Sequence, residues 1–491
     1  MTAGAACASV PEVEHPARKG ARGAGMFQIV RSSPKPLGDQ LVDEVGRLID
    51  SGRLTEASRL PSVRDLARRL GVSVYTVTTA FERLQARGLI ESRPGSGHYV
   101  ARRLLSEASP KVELGFPPST DPALRFARST LDPQSIAVPA GAGLLPPQWL
   151  EDVISPPALS RFWRNGGVGI SAPAQGDPAL RDLLVERLRR AAIPAASRGV
   201  LITFGASHAF DLIARRLLSP GDTVLVDDPG YFVLLTQLKA HRLNLVPVPK
   251  VADGSDLGVL EDMARLHRPR MFFTQTLLHN PTGITASASN CHGILSLAER
   301  YDFLIAEDHV YTDFGPPHLV SLAQIDELRR VIYVGSFTKV LSPAIRLGFL
   351  AASDELVPSL VDQKILSVLS GAALVEFVVR EVLASGKYRR HLDRLRNRLA
   401  KARAISTGLL QAAGLEVTNP SEGGLFLWAA LPAGLDADEL AIEAQRAGIL
   451  LAPGSMFSLT TRGSGRLRFN AAHASDPRLL EFLAERCQVA A

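Results

Sequence analysis

Residues 333–350, YVGSFTKVLSPAIRLGFL, place two cations inside a stretch whose other residues are mostly apolar. The apolar run at 331–334 is typical of a buried strand. Lys339 follows that run, and Arg346 lies further on inside a second apolar run. Burial lowers the pKa of a lysine, and the neutral amine can then form a Schiff base with a carbonyl compound. The stretch therefore predicts a reactive lysine at the end of a buried strand.

Other apolar runs precede this one, and helix-length segments separate them. They are GVLITFGAS (199–207), DTVLVDDPG (222–230), RMFFTQTLLHNPTG (270–283) and YDFLIAEDHVYTDF (301–314). Buried strands that alternate with helices predict an α/β fold with a mostly parallel sheet, and such sheets bind ligands at the carboxyl ends of their strands. The residues of chemical interest that follow the strands are Ala206, Ser207, Asn280, Asp308, Tyr311, Ser336 and Lys339.

These residue types suit pyridoxal 5'-phosphate as a cofactor. Lys339 would take the aldehyde as a Schiff base, and a carboxylate such as Asp308 would keep the pyridine nitrogen protonated, so that the ring withdraws electrons. Helix N-termini and cations bind phosphate, and an aromatic side chain can stack on the ring. The predicted phosphate ligands are Ala206, Ser207, Ser336 and Arg346, the ring-oxygen donors are Asn280 and Tyr311, and the stacking residue is Tyr231, for which a plain core position is the alternative.

The net charge of +6 at pH 7 is concentrated near the start of the chain. Residues 59–103 contain nine arginines and three acidic residues, so this segment holds the whole excess. A basic excess confined to one short segment is typical of nucleic-acid binding, although a solvated arginine-rich surface fits the charge alone equally well. The pattern of residues in the same segment decides between the two.

The segment 60–100, LPSVRDLARRLGVSVYTVTTAFERLQARGLIESRPGSGHYV, follows an amphipathic helix that is predicted over residues 36–51. Ser62 and Ser73 are good N-caps and glycines end both of the following helices, which predicts a helix-turn-helix. Short apolar strands on either side of RPGSG then form a hairpin, or wing. A winged helix-turn-helix, mainly α with a β wing, is therefore predicted over residues 26–103.

This segment resembles the GntR-type winged helix along its whole length. The resemblance implies that the helix after Ser73 enters the major groove of double-stranded DNA. The sequence departs from the family at Tyr75, near which the family often has an arginine. A tyrosine can bond a phosphate but cannot make the bidentate contact of an arginine with guanine. The residues that the resemblance places on DNA are Arg64, Ser73, Tyr75, Thr76, Thr78, Gly97 and His98.

The remaining features of the chain concern its predicted unstructured segments, its cysteines and the question of a membrane span. Residues 1–25 are rich in Ala and Gly and predict a disordered tail, and residues 104–135, dense in Pro, Ser and Thr, predict a linker. The three cysteines lack CxxC spacing, which predicts no metal site and no disulfides and fits a reducing cytoplasm. A membrane span needs about 18 consecutive apolar residues, which the sequence lacks, so no membrane partner is expected.

The large domain, predicted over residues 136–491, resembles the fold-type I aminotransferases. The motifs that carry the resemblance are HNPTG (279–283), DHVY (308–311), SFTK (336–339), RLG (346–348) and RLRFN (466–470). The resemblance implies a pyridoxal phosphate site, a homodimer and a smaller C-terminal α+β subdomain from about residue 385. It also implies that Arg468 binds the carboxylate of a substrate or effector, with a plain salt bridge as the alternative.

The spacing of Lys339 and Arg346 in SFTKVLSPAIRLG resembles MocR-type regulators in particular. These are fusions of a GntR-type winged helix with a class I/II aminotransferase-like domain, and the resemblance covers both parts of the chain. Aminotransferases often have a tyrosine that reaches the phosphate in the neighbouring subunit, whereas Ile170 and Ser171 stand at that place here. Either Ser171 replaces this contact or the affinity for the cofactor is lower.

Two functions remain open from the sequence. In the first, the chain is a transcriptional regulator whose DNA binding responds to pyridoxal phosphate, to an amino acid or other amino compound, or to both, through the Lys339 Schiff base. In the second, it is an active aminotransferase with an accessory DNA-binding module. The intact winged helix and its confined charge favour the first, while the complete set of lysine, aspartate and arginine keeps residual transamination open.

Overall fold

The computed structural model describes residues 27–31, 33, 35–101, 121–131, 136–150, 153, 154, 156–418 and 422–490. The chain divides into two compact units, Met1–Pro117 and Pro118–Ala491. The predicted disordered tail and the part of the predicted linker before residue 121 lie outside the described residues. Among the helices that the structure describes, none combines the length and the apolar character that crossing a membrane requires.

The first unit is a winged helix-turn-helix. Its elements are α1 (Leu37–Asp50), α2 (Val63–Leu70), α3 (Val74–Ala86), β1 (Ile90–Arg93) and β2 (Gly97–Val100). Both N-caps form as the sequence predicts: Ser62 Oγ accepts from Asp65 N at 3.2 Å, and Ser73 Oγ accepts from Thr76 N at 3.0 Å. Gly71 ends α2 with a φ of 63°, the left-handed conformation that favours glycine. The predicted winged helix-turn-helix is confirmed.

The second unit is built on an eight-stranded sheet. Its strands are β3 (Val200–Thr203), β4 (Thr223–Asp228), β5 (Asn244–Val251), β6 (Gly254–Ser255), β7 (Met271–Thr274), β8 (Leu304–Asp308), β9 (Val331–Ser336) and β10 (Gly348–Ala351). They lie in the order β3-β10-β9-β8-β7-β4-β5-β6. The five strands from β9 to β5 pair in parallel, whereas β10 is antiparallel to both neighbours and β6 is antiparallel to β5. The prediction of a mostly parallel sheet is confirmed.

Helices surround this sheet. They are α4 (Pro122–Leu131), α5 (Pro156–Arg164), α6 (Pro178–Arg190), α7 (Ala206–Leu217), α8 (Phe232–Ala240), α9 (Leu257–His267), α10 (Ala288–Tyr301), α11 (Leu322–Asp326), α12 (Val357–Val368), α13 (Ala373–Ala384) and α14 (Lys387–Ala412). Successive strand residues enter different apolar cores: Leu225 and Phe272 lie in one, and Val226 and Phe273 in the other. Burial on both faces explains why the strands are continuous apolar runs instead of alternating ones.

A smaller antiparallel sheet lies in the C-terminal part of the chain, as the predicted fold class requires. Its strands are β11 (Glu416–Thr418), β12 (Phe426–Ala430), β13 (Ala452–Pro453) and β14 (Arg466–Asn470), and its helices are α15 (Ala437–Arg446) and α16 (Pro477–Ala490). Residues 137–141 run beside it, because Val138 pairs with Ile449 and Gly141 N donates to Leu450 O at 2.6 Å. The first residues of the large domain are thereby joined to the last sheet.

Helix α4 occupies a segment that the sequence predicts as linker, and the linker prediction is wrong for residues 122–131. Asp121 Oδ1 accepts from Ala123 N at 2.8 Å, Pro122 is the first helical residue, and Phe126 is buried against Phe232 with a ring separation of 5.6 Å. The physical reason is that so short a helix draws its stability from tertiary packing, which composition does not show.

Candidate functional site

Lys339 lies three residues beyond β9, where its amine meets two other groups. A Cβ atom on Gly143 would come within 3.5 Å of Lys339 Nζ, of Tyr311 Oη and of the Phe426 ring, so the three converge over this glycine. Burial, and then the positive charges of Arg468 and Arg346, lower the pKa of Lys339 to about 8. A substantial fraction of this amine is therefore neutral near pH 8 and able to attack a carbonyl carbon.

Asp308 is the last residue of β8 and is buried. Its Oδ1 accepts from Val310 N at 2.9 Å. Burial raises the pKa of this carboxyl to about 6, and the amide of Val310 and the charges of His309 and Lys339 act in the opposite direction. A protonated pyridine nitrogen beside Asp308 would supply the positive charge that keeps the carboxylate ionised.

Arg468, on β14, is 2% exposed, and among the described residues no carboxylate lies within ion-pair distance of it. Its Nη1 donates to Asn280 Oδ1 at 2.7 Å and its Nη2 to Gly141 O at 2.5 Å, while Nε has no hydrogen-bond partner. The guanidinium lies over the rings of Phe426 and Phe457, at 4.3 and 4.8 Å. Burial lowers the pKa of Arg468 to about 10. A buried guanidinium with only neutral partners suits a carboxylate ligand.

The predicted phosphate ligands meet at the start of α7. Gly205 precedes Ala206 and Ser207 with a φ of 80°, and no side chain caps the helix. A Cβ atom on Gly205 would lie 3.3 Å from Arg346 Nη2. Ser336 Oγ accepts from Thr338 N at 3.2 Å beside the same loop. Free backbone amides at a helix N-terminus next to an arginine form an anion site.

Two tyrosines complete the site. Tyr231 precedes α8, and burial, followed by the charge of Asp308, raises its pKa to about 12, whereas the charges of Arg468 and Arg346 and a hydrogen bond with Ser207 lower it. Tyr311 is buried with its ring 5.0 Å from that of Phe426, and burial raises the pKa of its hydroxyl far above the usual range. Both hydroxyls therefore remain proton donors. Amine, carboxyl, anion cradle and phenols together form the donor set that pyridoxal phosphate requires.

A buried charge pair that was not predicted from the sequence lies next to the loop that carries Asn280. Asp227, in β4, lies 3.0 Å from Lys250 Nζ and 3.5 Å from His279 Nε2, and it accepts from Gln275 N at 2.7 Å. Gln275 Oε1 in turn accepts from Asn280 N at 2.8 Å, so the pair supports the loop that holds Asn280. Two adjacent acids at the end of a buried strand are the available signal. Nothing local identifies Lys250 as the partner.

Ile170 and Ser171, where the sequence departs from the aminotransferase pattern, are exposed. They border a groove of about 190 Å³ that also contains Phe162 and Phe377. In the described part of the chain, the lining of this groove includes none of the predicted cofactor ligands.

We expect the rate of covalent reaction with pyridoxal phosphate to rise about tenfold per pH unit below a pH of about 8 and to level off above it. Only the neutral Lys339 amine attacks the aldehyde, and its pKa is lowered to about 8. Stopped-flow absorbance over a pH series measures the profile. A midpoint at the ordinary lysine value of about 10.4 would contradict the buried position of the amine.

The predicted DNA contacts lie on the first unit. Tyr75 is 78% exposed at the start of α3, and Arg64 is exposed on α2. The hydroxyls of Ser73 and Thr76 bond each other at 2.7 Å, and Thr78 Oγ1 donates to Val74 O at 3.0 Å. These three hydroxyls therefore already have partners within the helix, and Tyr75 is the side chain that projects freely.

At the wing, His98 has two neighbours within the same unit. Its Nδ1 lies 2.8 Å from Ser92 Oγ, and its ring packs edge-on against Phe81. Arg59, which is not among the predicted contacts, is exposed beside the wing: a Cβ atom on Gly97 would lie 3.5 Å from Arg59 Nε. We therefore add Arg59 to the candidate DNA contacts.

Two family models match the chain, one in each unit. Residues 37–100 match the bacterial regulatory proteins of the gntR family, and residues 139–485 match aminotransferase class I and II. The uncharacterized HTH-type transcriptional regulator YdcR of Escherichia coli (strain K12) is 30% identical over 448 residues, covering 88% of this chain and 94% of YdcR. The probable rhizopine catabolism regulatory protein MocR of Rhizobium meliloti is 28% identical, covering 87% of this chain and 88% of MocR.

The second unit also resembles solved aminotransferases. The structure of LysN, the alpha-aminoadipate aminotransferase of Thermus thermophilus complexed with N-(5'-phosphopyridoxyl)-L-leucine, superposes with a TM-score of 0.68 and 27% identity over 74% of this chain and 95% of LysN. This fold and the residues assembled above identify pyridoxal phosphate as the cofactor of the second unit. The chain therefore belongs to the class I and II aminotransferase family, and its gntR-family domain gives it the architecture of the MocR-type transcriptional regulators.

Proposed function

We propose that the chain is a pyridoxal phosphate-dependent transcriptional regulator, whose winged helix binds operator DNA with an affinity set by what occupies the site at Lys339. The observation that carries the proposal is Arg468, a buried guanidinium with no carboxylate partner in the described part of the chain, close to the reactive Lys339 in a chain that also has a DNA-binding unit. The effector class that fits is an amino compound with a carboxylate. Operator binding implies a cytoplasmic protein.

Each residue has a definite task in this proposal. Bound pyridoxal phosphate would supply an aldehyde for a primary amine and an electron-withdrawing ring. Lys339 provides the resident amine, and Asp308 holds a proton on the ring nitrogen. Tyr311 and Asn280 donate to the ring oxygen. Tyr231 covers a ring face, and Arg468 binds the carboxylate of the effector. The phosphate ligands are Ala206, Ser207, Ser336 and Arg346.

The route from the site to the linker runs through α4. The Phe457 ring lies 4.8 Å from the Arg468 guanidinium and 5.4 Å from Phe232, and Phe126 of α4 packs on Phe232. Arg468 also donates to Gly141 O, which lies in the segment that follows α4 along the chain. An effector carboxylate competes with that carbonyl for the guanidinium, so Arg468 has two alternative partners and the effector favours one of them.

We expect Phe126→Ala to remove most of the effect of an effector on DNA affinity while cofactor capture stays unchanged. Deleting a buried phenylalanine costs about 3–5 kcal/mol, enough to detach a ten-residue helix from α8. The matched control is Phe162→Ala, because Phe162 is also 7% exposed and packs on another aromatic ring, yet belongs to α5. Fluorescence anisotropy with labelled DNA measures the response. An undiminished response in Phe126→Ala would contradict the route.

The proposed function is tested by measuring operator affinity and footprint of the full chain with and without pyridoxal phosphate, alone and with a panel of amino acids. We expect at least one combination to change the affinity about tenfold, as a coupling free energy of about 1–3 kcal/mol gives. The same affinity and footprint under every condition would overturn the proposal.

An active aminotransferase is the second candidate. The complete set of Lys339, Asp308 and Arg468 favours it, as does the similarity to LysN. The discriminating measurement is turnover: sustained conversion of an amino acid and a 2-oxo acid by the full chain supports an enzyme, whereas binding without turnover supports a sensor. We also propose a homodimer, in which two winged helices bind two half-sites, in inverted or direct order.

A further inference from the structure

Helix α14 carries a row of exposed cations that neither unit's proposed site uses. Its sequence, KYRRHLDRLRNRLAKARAISTGLLQA, contains one acidic residue, Asp393. With 3.6 residues per turn, Arg390, Arg394, Arg398 and Lys401 fall on one side of the helix within about 80° and span about 16 Å. All four are exposed, whereas Leu392, Leu395 and Leu399 face the core. We call these four residues the basic face of α14.

The basic face is unfavourable for the isolated helix. Cations spaced four residues apart repel each other, and those in the first turn oppose the positive end of the helix dipole. Some exposed arginines on other helices of the unit do have carboxylate partners, such as Arg190 with Glu186 and Arg215 with Asp211. Among the described residues, no carboxylate lies within ion-pair distance of any member of the basic face.

The charges of the basic face act on their own surroundings. Burial lowers the pKa of His391, whose Nε2 lies 2.6 Å from Val340 O, and the charges of Arg394 and Arg398 lower this pKa further. A helix surface on which cations repel each other without carboxylate partners is suited to bind a polyanion, because the bound polyanion removes the repulsion.

We propose that the basic face of α14 binds the phosphate backbone of double-stranded DNA outside the part held by the winged helix. The inference rests on the proposed DNA-binding function but concerns a different surface. Three of the four cations are arginines, whose guanidinium matches phosphate geometry. An exposed apolar side chain on the same side of the helix, Ile405, lies one turn beyond Lys401, outside the row of cations. One DNA strand presents a phosphate about every 3.4 Å, so a row of about 16 Å reaches several.

The test is the salt dependence of binding by the full chain to a fluorescent duplex of random sequence, since phosphate contacts do not depend on sequence. The variant is Arg390→Gln/Arg394→Gln/Lys401→Gln. Its matched control is Arg190→Gln/Arg215→Gln/Arg265→Gln, which removes the same charge from arginines that have carboxylate partners. Each lost phosphate contact lowers the slope of log affinity against log salt by about 0.9, so we expect a loss of about 2–3 for the variant and almost none for the control.

Equal slopes for the two triple variants would overturn the inference, because net charge alone would then account for the effect. If the triple variant fails to fold, Arg394→Gln alone carries the test, with an expected loss of about 0.9. If the parent chain does not bind DNA, the proposed function fails. If Tyr75→Ala weakens operator binding while the slope of the α14 variant equals that of the parent, only the inference about α14 fails.

Discussion

Lys339→Ala protein is expected to lose covalent capture of pyridoxal phosphate completely and, with it, the response of DNA binding to an amino compound. Alanine has no amine, and the cofactor would be held only by its phosphate and ring contacts. Borohydride reduction followed by mass spectrometry measures the capture, because a reduced Schiff base stays on the chain. DNA affinity with and without cofactor measures the response.

The chain offers a matched control for this prediction in Lys364. This lysine is also buried, and burial lowers its pKa to about 8, yet its Nζ donates to Ile202 O at 2.9 Å. We therefore expect position at the strand ends, and not a lowered pKa alone, to decide which lysine captures the cofactor. We expect Lys364→Met to retain full covalent labelling. Stoichiometric labelling of the Lys339→Ala variant would contradict the assignment.

The second large effect is expected for Arg468→Gln. Truncating one partner of a buried charge pair costs about 2–5 kcal/mol, which is about a thirtyfold or greater loss of affinity for a ligand with a carboxylate. The contribution of the carboxylate contact to binding can be measured with two reduced adducts, N-phosphopyridoxyl-L-alanine and N-phosphopyridoxyl-ethylamine. The two adducts differ only by that carboxylate. Calorimetry should show the loss for the first adduct and little change for the second.

Arg468→Gln should also change the pH dependence of cofactor capture, because the charge of Arg468 lies near Lys339. After burial, the charge of Arg468 is the largest influence that lowers the pKa of Lys339. Its removal should shift the pH profile of cofactor capture upward, while Arg468→Lys, which keeps the charge but not the planar fork, should leave that profile nearly in place. Equal losses of affinity for both adducts would show that Arg468 acts on folding and not on the carboxylate.

Local sequence motifs were sufficient to predict the helix caps of the first unit and the candidate ligands at the strand ends of the second. Ser62 and Ser73 cap helices through bonds to residues three positions away, so a short window of sequence contains the whole interaction. The ligands at the strand ends are predictable for a related reason. In a parallel sheet the carboxyl ends of all strands lie at one edge. The residues that follow each strand therefore lie at that edge, regardless of the length and conformation of the connecting loops.

Interactions between distant segments were not predictable. Asn280 and Arg468, 188 residues apart, meet only because the fold brings β14 to the loop that follows β7, and Lys250 pairs with Asp227 only because β5 lies beside β4. Helix α4 was missed because its stability comes from Phe232, in another element.

The sequence by itself thus determined the two-domain architecture, the cofactor and the identity of most of its candidate ligands, because these depend on residue type and local spacing. The tertiary structure alone decided that Arg468 is buried with no carboxylate partner among the residues described, that its Nη2 donates to Gly141 O, and that residues 122–131 form a helix whose Phe126 packs on Phe232. Burial and pairing are properties of three-dimensional proximity, and they give each charge its pKa and its capacity to bind a ligand.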